Sequence, residues 1–283
     1  MIKFINAKLN LGLNIVRKRS DGYHELETLF YPVGRHNGTP ENPEPFCDIL
    51  EITPSGKTEF VFSGRPVDCP LEKNLVYKAW HIFKESFPSL PEFRLHLEKH
   101  LPDGAGLGGG SADASAVLCM LNELCGSPFD DRQLAAIALK LGADCPFFIY
   151  NRPCYAEGVG ERLEPADVDL SGWWCLLVKP DLSISTKEAF AGVTPCLPKF
   201  SLRETIKLSP EKWQGRMVND FEGSLFPNHP ILEDIKNRMI DSGAVYASMS
   251  GSGSTLFGLF RSKEEAGEAS MAWAGHYVGI CML

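Results

Sequence analysis

The chain has 283 residues, 44% hydrophobic and 23% charged, with a formal net charge of −8. This is the composition of a globular protein with room for one large or two ordinary domains. The surplus of acid argues against general affinity for nucleic acid or anionic membrane, and runs such as "WWCLLV" fall far short of the roughly 18 apolar residues of a membrane helix. Nine cysteines with no C-x-x-C spacing read as reduced thiols rather than a disulfide frame or a zinc site. No apolar leader with a small-residue cleavage site opens the chain, so the expected location is cytoplasmic.

Residues 4–16 alternate strictly. Ile5, Ala7, Leu9, Leu11, Leu13 and Ile15 share one face, while Asn6, Lys8, Asn10, Gly12 and Asn14 share the other. Period two predicts a strand buried on one side. Asp21-Gly22 marks a turn before a second strand-like run, and residues 34–47, rich in Pro, Asn and Gly, read as a surface loop. "CDILEITP", "TEFVFSG" and "FRLHLEKHLP" have strand character, and "NLVYKAWHIFKESF" has helical spacing. Beyond the glycine cluster at 104–110, Ser111 is the expected N-cap of a helix whose face carries Val117, Leu118, Leu121 and Leu124 and which stops at Gly126. A second helix opens near Asp130 and Asp131 and ends at Gly142, with Asp144 just beyond. Gly, Pro and charge concentrate in "GVGERLEPADVDLSG", which suggests domains at 1–163 and 164–283. A strand at "WCLLVKP", helices near 211–225 and 230–241, a strand pair at "AVYASM" and "STLFGLF", a helix near 263–274 and a last apolar strand follow. No regular βαβ repeat emerges, so the fold class is α+β in two domains.

The stretch "LPDGAGLGGGSADASA", residues 101–116, carries the chemistry. Five glycines, at 104, 106, 108, 109 and 110, lead straight into a helix, where backbone N–H groups and the helix dipole favour an anion. The spacing nearly spells G-x-x-x-x-G-K-[ST], but Gly110 stands in the lysine slot. A plain flexible turn is the bland alternative, and five glycines before a capped helix weigh against it. A dinucleotide loop also fits Gly104, Gly106 and Gly109, yet the acids about 20 residues on open a helix instead of ending a strand. A nucleoside triphosphate loop fits best, with Ser111 offering a hydroxyl and the missing charge coming from Lys8 or Lys99. Lys3, Lys8, Arg17, Lys18 and Arg19, all before the first acid, form a candidate local basic site.

The same stretch resembles the phosphate loop of the GHMP kinases, named for galactokinase and the homoserine, mevalonate and phosphomevalonate kinases, and "SMSGSGSTLFGLF" at 248–260 resembles their late glycine motif. "AKLNLGLNIVRKRSDGYHELETLF", "LGADCPFFI" and "AEGVGERL" are similar to a branch of that family acting on a diphosphocytidyl sugar alcohol. The resemblance spans nearly the whole chain, except that the loop "GRHNGTPENPEPFCD" is longer than expected and residues 196–215 match nothing by eye. It implies a two-domain GHMP-kinase-like fold with its active site in the cleft between domains, ATP as co-substrate with Mg²⁺, and a cytidylyl small-molecule substrate. It implies Lys8 and Asp144 as the catalytic pair. It implies that Pro102, Asp103, Gly104, Ala105, Gly106, Leu107, Gly108, Gly109, Gly110, Ser111 and Ala112 hold ATP, with Asn74 and Lys99 near the nucleotide. Asn10, Tyr23, His24, Phe30, Thr186, Phe190, Gly251 and Gly253 are the implied substrate contacts. The metal ligands are unassigned, and the expected state is a monomer or weak homodimer.

Without the resemblance, Asp144 would read as a capping or turn residue, Tyr23 and His24 as surface, Phe190 as core and Lys8 as a solvated face. The alternatives are another small-molecule GHMP kinase, of homoserine or mevalonate type, or a non-catalytic nucleotide-binding relative. Against the first stands the segment from Asp21 to His24; against the second, the presence of Lys8, Ser111 and Asp144.

Overall fold

A computed structural model describes residues 1–34, 46–67 and 69–283. The loop expected over 34–47 lies almost wholly outside the described residues. The alternating N-terminal segment breaks at Asn6 into β1 (Ile2–Ile5) and β2 (Ala7–Lys18), and the turn at Gly22 leads into β3 (His24–Val33). Then come β4 (Asp48–Pro54), β5 (Glu59–Gly64), α1 (Leu75–Ser86) and β6 (Phe93–Lys99), as their patterns predict. The next helix, α2 (Gly109–Leu124), starts before Ser111: its N-cap is Gly108, in the left-handed region at φ 70°, and no side chain caps it. In α3 (Asp131–Leu139), Asp130 and Gln133 form a reciprocal capping box.

Three elements escaped the sequence pattern: α4 (Cys145–Tyr150) and the hairpin of β7 (Cys154–Gly158) and β8 (Arg162–Pro165). The hairpin runs into the Gly-, Pro- and charge-rich stretch expected to divide the domains. After β9 (Trp174–Lys179) come two short helices, α5 (Thr186–Ala191) and α6 (Leu202–Thr205), also unforeseen. The helix expected over 211–225 is a single 3₁₀ turn at Pro210–Lys212 and then α7 (Asp220–Leu225). Gly215 at φ 77° interrupts it, and the extended Asn219 forms a bridge to Leu13 instead. The chain finishes with α8 (Pro230–Asp241), β10 (Tyr246–Met249), β11 (Leu256–Phe260), α9 (Lys263–Ser270), a 3₁₀ turn at Met271–Trp273 and β12 (Tyr277–Met282).

Packing divides the chain into two compact units that interleave in sequence. The first holds residues 1–7, 34–103 and 108–152; the second holds 8–33, 104–107 and 153–283. This grouping differs from a single division at 163/164, because β3 pairs antiparallel with β7 (Leu26 opposite Gly158) and so draws the early strands into the later unit. In the first unit a sheet of order β1-β4-β6-β5 alternates buried and open residues, and Leu50, Ile52, Leu95 and Leu97 point into its core. Val76, Ala79 and Phe83 of α1 and Val117, Leu118 and Leu121 of α2 are the buried helical faces there. The second unit has two sheets, β2-β3-β7-β8 and β10-β11-β9-β12. The latter shares a core with α8 and α9 through Leu176, Val178, Leu232, Ile235, Met239 and Ala266. All nine cysteines are free thiols.

One correction concerns β2. Its polar face is not solvated: Lys8, Asn10 and Asn14 are buried along with the apolar face. Removing the α3 cap gives a baseline for stability measurements. Asp130→Ala should lower the unfolding free energy by about 1 kcal/mol in urea titrations, and an unchanged midpoint would show that the capping box contributes nothing.

Candidate active site

In the second unit β2 carries its polar face into the interior, where Lys8 and Asn10 find partners. The Lys8 ammonium donates to Asn10 Oδ1 and lies 4.9 Å from the centroid of the Phe30 ring. Asn10 Nδ2 donates to Thr28 Oγ1 at 3.0 Å, and that hydroxyl donates to the Gly12 carbonyl. The expected substrate contact Phe30 is 2% exposed and forms a wall beneath the ammonium. The backbone of the same strand grips the first glycine segment, since Lys8 N donates to Leu107 O at 2.9 Å.

Residues 104–107 in turn meet the late glycine motif. Ser250 Oγ donates to Gly106 O at 2.9 Å and accepts from Asn10 N at 3.2 Å, while Thr255 N donates to Ala105 O at 3.3 Å. The approach is so close that a Cβ on Gly106, at φ 75°, would stand 2.0 Å from Ser250 O. No side chain fits there. A Cβ on Gly251 would lie 3.3 Å from Asn10 Oδ1, so that glycine too is set against β2. Gly109, by contrast, leaves ordinary room: its Cβ would be 3.5 Å from the nearest atom, Lys99 Nζ.

In the first unit Gly108, Gly109 and Gly110 open α2, whose leading N–H groups have no intrahelical acceptor and no side-chain cap. Such an end favours an anion. Ser115 Oγ, fully buried, lies 2.8 Å from both Ser111 O and Cys145 O, and its single hydrogen is shared between the two carbonyls. It thereby ties the start of α2 to the start of α4, where half-buried Asp144 sits at the N-cap position without capping the helix. Burial pushes the adjacent Cys145 thiol up to about 11, so it stays protonated near neutral pH. Asn6 and Asn151 exchange amide hydrogen bonds of 3.1 and 2.8 Å at the other end of α4.

Lys99 is not a free phosphate cation. Its ammonium, 2% exposed, lies 2.6 Å from Asp48 Oδ2, 2.8 Å from Asp113 Oδ2 and 3.7 Å from Asp103 Oδ1. Burial alone would lower its pKa, but the Asp113 and Asp48 carboxylates outweigh burial and raise it. Burial raises the Asp113 carboxyl well above the usual range, with Lys99 opposing. Asp48 Oδ1 also accepts from the backbone N–H groups of His100 and Leu101, at 2.6 and 2.8 Å, and so fixes the entry to the glycine stretch. The expected nucleotide contacts do gather here: Asn74, Lys99, Asp103 and Gly110 line one cavity of about 190 Å³ with Val67, Leu75, Val76 and Leu97 as apolar walls. Asn74 caps α1 by accepting from Val76 N at 2.8 Å.

The aromatic candidates lie in the second unit. His24 and Phe190 stack directly, with centroids 4.8 Å apart and planes at 16°, while Tyr23 is 64% exposed beside them in sequence. A pyrimidine held between His24 and Phe190 would have to part them. Thr186 and Phe190, four residues apart on α5, share a face. The basic run dissolves as a patch: Arg17 and Arg19 are paired with Glu25 and Asp21, leaving Lys8 as the cation buried beside the glycine segments. The sequence reading missed Ser250, Thr28, Asn219, Asp48 and Asp113. Of these, Asp113, two residues after Ser111, and Ser250, inside the late glycine motif, carried a positional signal.

The chain is similar to known proteins along most of its length. The model of the GHMP kinases N terminal domain matches residues 74–152, and that of the GHMP kinases C terminal domain matches 196–279. A 4-diphosphocytidyl-2-C-methyl-D-erythritol kinase from Parabacteroides distasonis is 50% identical over 96% of each chain. Another so named, from Bacteroides fragilis, is 47% identical over 94% of each. A crystal structure of a 4-(cytidine 5'-diphospho)-2C-methyl-D-erythritol kinase superposes with a TM-score of 0.81 at 34% identity, covering all of both chains.

The triad predicts a stability effect separable from nucleotide binding. Lys99→Met leaves the Asp48 and Asp113 carboxyls buried without their cation and should cost about 3–5 kcal/mol of unfolding free energy. Retained stability with lost ATP affinity would instead make Lys99 a ligand for phosphate.

Proposed function

The chain belongs to the GHMP kinase family, and we propose that it transfers the γ-phosphoryl group of ATP to the 2-hydroxyl of 4-diphosphocytidyl-2-C-methyl-D-erythritol. The products are the 2-phosphate and ADP, in non-mevalonate isoprenoid precursor synthesis. The observation that carries the reading is the buried Lys8–Asn10 pair on β2, gripped from both glycine-rich segments through Leu107 O and Ser250 Oγ. A phosphoryl transfer needs little covalent chemistry from the protein; it needs positioning, neutralised phosphate charge and an acceptor for the hydroxyl proton.

Each part has a candidate. The cavity beside Asn74 and Gly110 is smaller than the roughly 300 Å³ at which whole-ligand pockets begin, so it takes the base of ATP and leaves the phosphates outside. The uncapped start of α2 is suited to the triphosphate. Lys8 supplies the charge that Gly110 does not. Asp144 accepts the proton as the 2-hydroxyl oxygen bonds to the γ-phosphorus and the bond to the β–γ bridging oxygen breaks. Mg²⁺, arriving with ATP, would neutralise part of the phosphate charge. Among the described residues no group of three His, Cys, Asp or Glu could hold a metal alone. An ion held chiefly by ATP needs only one or two protein oxygens, for which the Ser111 hydroxyl is suited. Tyr23, His24 and Phe190 take the cytosine: stacking tolerates any base, so hydrogen bonds from His24 supply the choice.

Turnover with the diphosphocytidyl substrate, measured beside homoserine and mevalonate, tests the assignment; ATP consumption only with either of the latter overturns it. Asp144→Asn should lower kcat at least about 100-fold with ATP binding nearly intact, and near-normal turnover removes Asp144 from the mechanism. His24→Ala should raise KM for the cytidylyl substrate and narrow its preference over the uridylyl analogue, whereas Tyr23→Ala should weaken both alike. If His24→Ala keeps the wild-type preference, the base is read elsewhere.

A further inference from the structure

The late glycine motif is held from behind by one turn of chain that no motif marks. Asn219 is 2% exposed, and both hydrogens of its amide are engaged: Nδ2 donates to Met249 O at 2.7 Å and to Gly251 O at 2.8 Å. Its Oδ1 accepts from Phe221 N at 3.0 Å and caps α7. One turn on, Glu222 Oε1 accepts from Met249 N at 2.7 Å and from Ser248 Oγ at 2.9 Å, and its other oxygen takes the Lys236 ammonium. The same turn fastens β2, through Leu13 N to Val218 O at 2.8 Å and Ile15 N to Asp220 Oδ2 at 2.7 Å.

The two carbonyls that Asn219 holds flank a single residue, Ser250. That residue is completely buried, and its hydroxyl joins Asn10 N to Gly106 O. From Asn219 to the Lys8–Asn10 pair the path is therefore two side chains long. We propose that Asn219 is a positioning residue for phosphoryl transfer: by fixing Ser250 between two bound carbonyls, it sets the spacing between β2 and the glycine segment at Gly106. It touches no substrate. The inference rests on the reading that Lys8 and Asn10 serve the transfer.

The test uses Asn219→Ser, Ser250→Ala and the double variant in the full-length enzyme. Serine at 219 keeps an N-cap oxygen for α7 but has no amide donors, so folding is preserved where positioning is lost. Misplacement on the ångström scale costs on the order of 100-fold in rate, so kcat of Asn219→Ser should fall about 10- to 100-fold. ATP affinity, by calorimetry, should change less than about 3-fold, because the base cavity is built from other residues. Because Asn219 acts through Ser250, the double variant should be no slower than the worse single variant; independent effects would multiply. A multiplicative double variant overturns the proposal. So does an activity loss no larger than that of Ile52→Val, a core change on β4 in the first unit, at matched loss of thermal stability. Should Asn219→Ser not fold, Ser250→Ala decides alone, and full activity in that protein overturns the proposal. Inactivity of the wild type toward the cytidylyl substrate refutes the assigned reaction, while an active wild type with an equally active Asn219→Ser refutes only the role of Asn219.

Discussion

An ammonium group and a row of amides held out of water on β2 are the constraint around which the second unit is organised. Burying Lys8 and Asn10 would be prohibitive without partners, since an unpaired polar group in the interior costs kilocalories and an unpaired charge far more. The partners therefore have to be present in the fold: Asn10 Oδ1 for the ammonium, Thr28 for the Asn10 amide, Ser250 for its backbone. Each of those comes from a different part of the chain. Satisfying one strand's polar face thus fixes β3, the late glycine motif and residues 104–107 at once. The aromatic wall of Phe30 completes the enclosure with a surface that tolerates a cation.

Charge is handled differently in the first unit. Lys99 faces two buried carboxyls, so the cluster is dominated by acid rather than by the cation that the sequence suggested. Asp48 also holds two backbone N–H groups just upstream of the glycines. The ion cluster is a joint that shapes the entry to the loop. Ser115 adds a second joint, between α2 and the segment that carries Asp144.

Much of this was legible in the sequence where a single periodicity governed. The alternation of β2, the helical faces of α1 to α3 and the pairing of β10 with β11 all followed from period and punctuation. What failed were local rules overridden by distant partners. Ser111 has the chemistry of an N-cap, but Gly108 takes that position because the loop needs a left-handed residue there. Apolar residues before 225 suggested one helix, yet Asn219 stays extended to reach Leu13 and Gly251. The polar face of β2 looked solvated because period two reports only that the faces differ, not what covers each. Glycine and serine at 250–253 could be tied to a family, but that Gly106 and Ser250 touch is a tertiary fact.

The interleaving of the two units bears on biosynthesis. Emerging from the ribosome, β2 and β3 must wait for β7 and β8 before their sheet can close, and the Lys8–Asn10 face must wait longer still, for Ser250. Contacts that distant along the chain are slow to form and leave hydrophobic surface open meanwhile. Neither unit corresponds to a contiguous stretch, so the halves defined by sequence matches at 74–152 and 196–279 are not pieces that a gene fusion or truncation could separate cleanly. A chain built this way matures as one object, and a nascent chain stalled before residue 250 holds a buried-to-be strand that still lacks the Ser250 hydroxyl it is to bond.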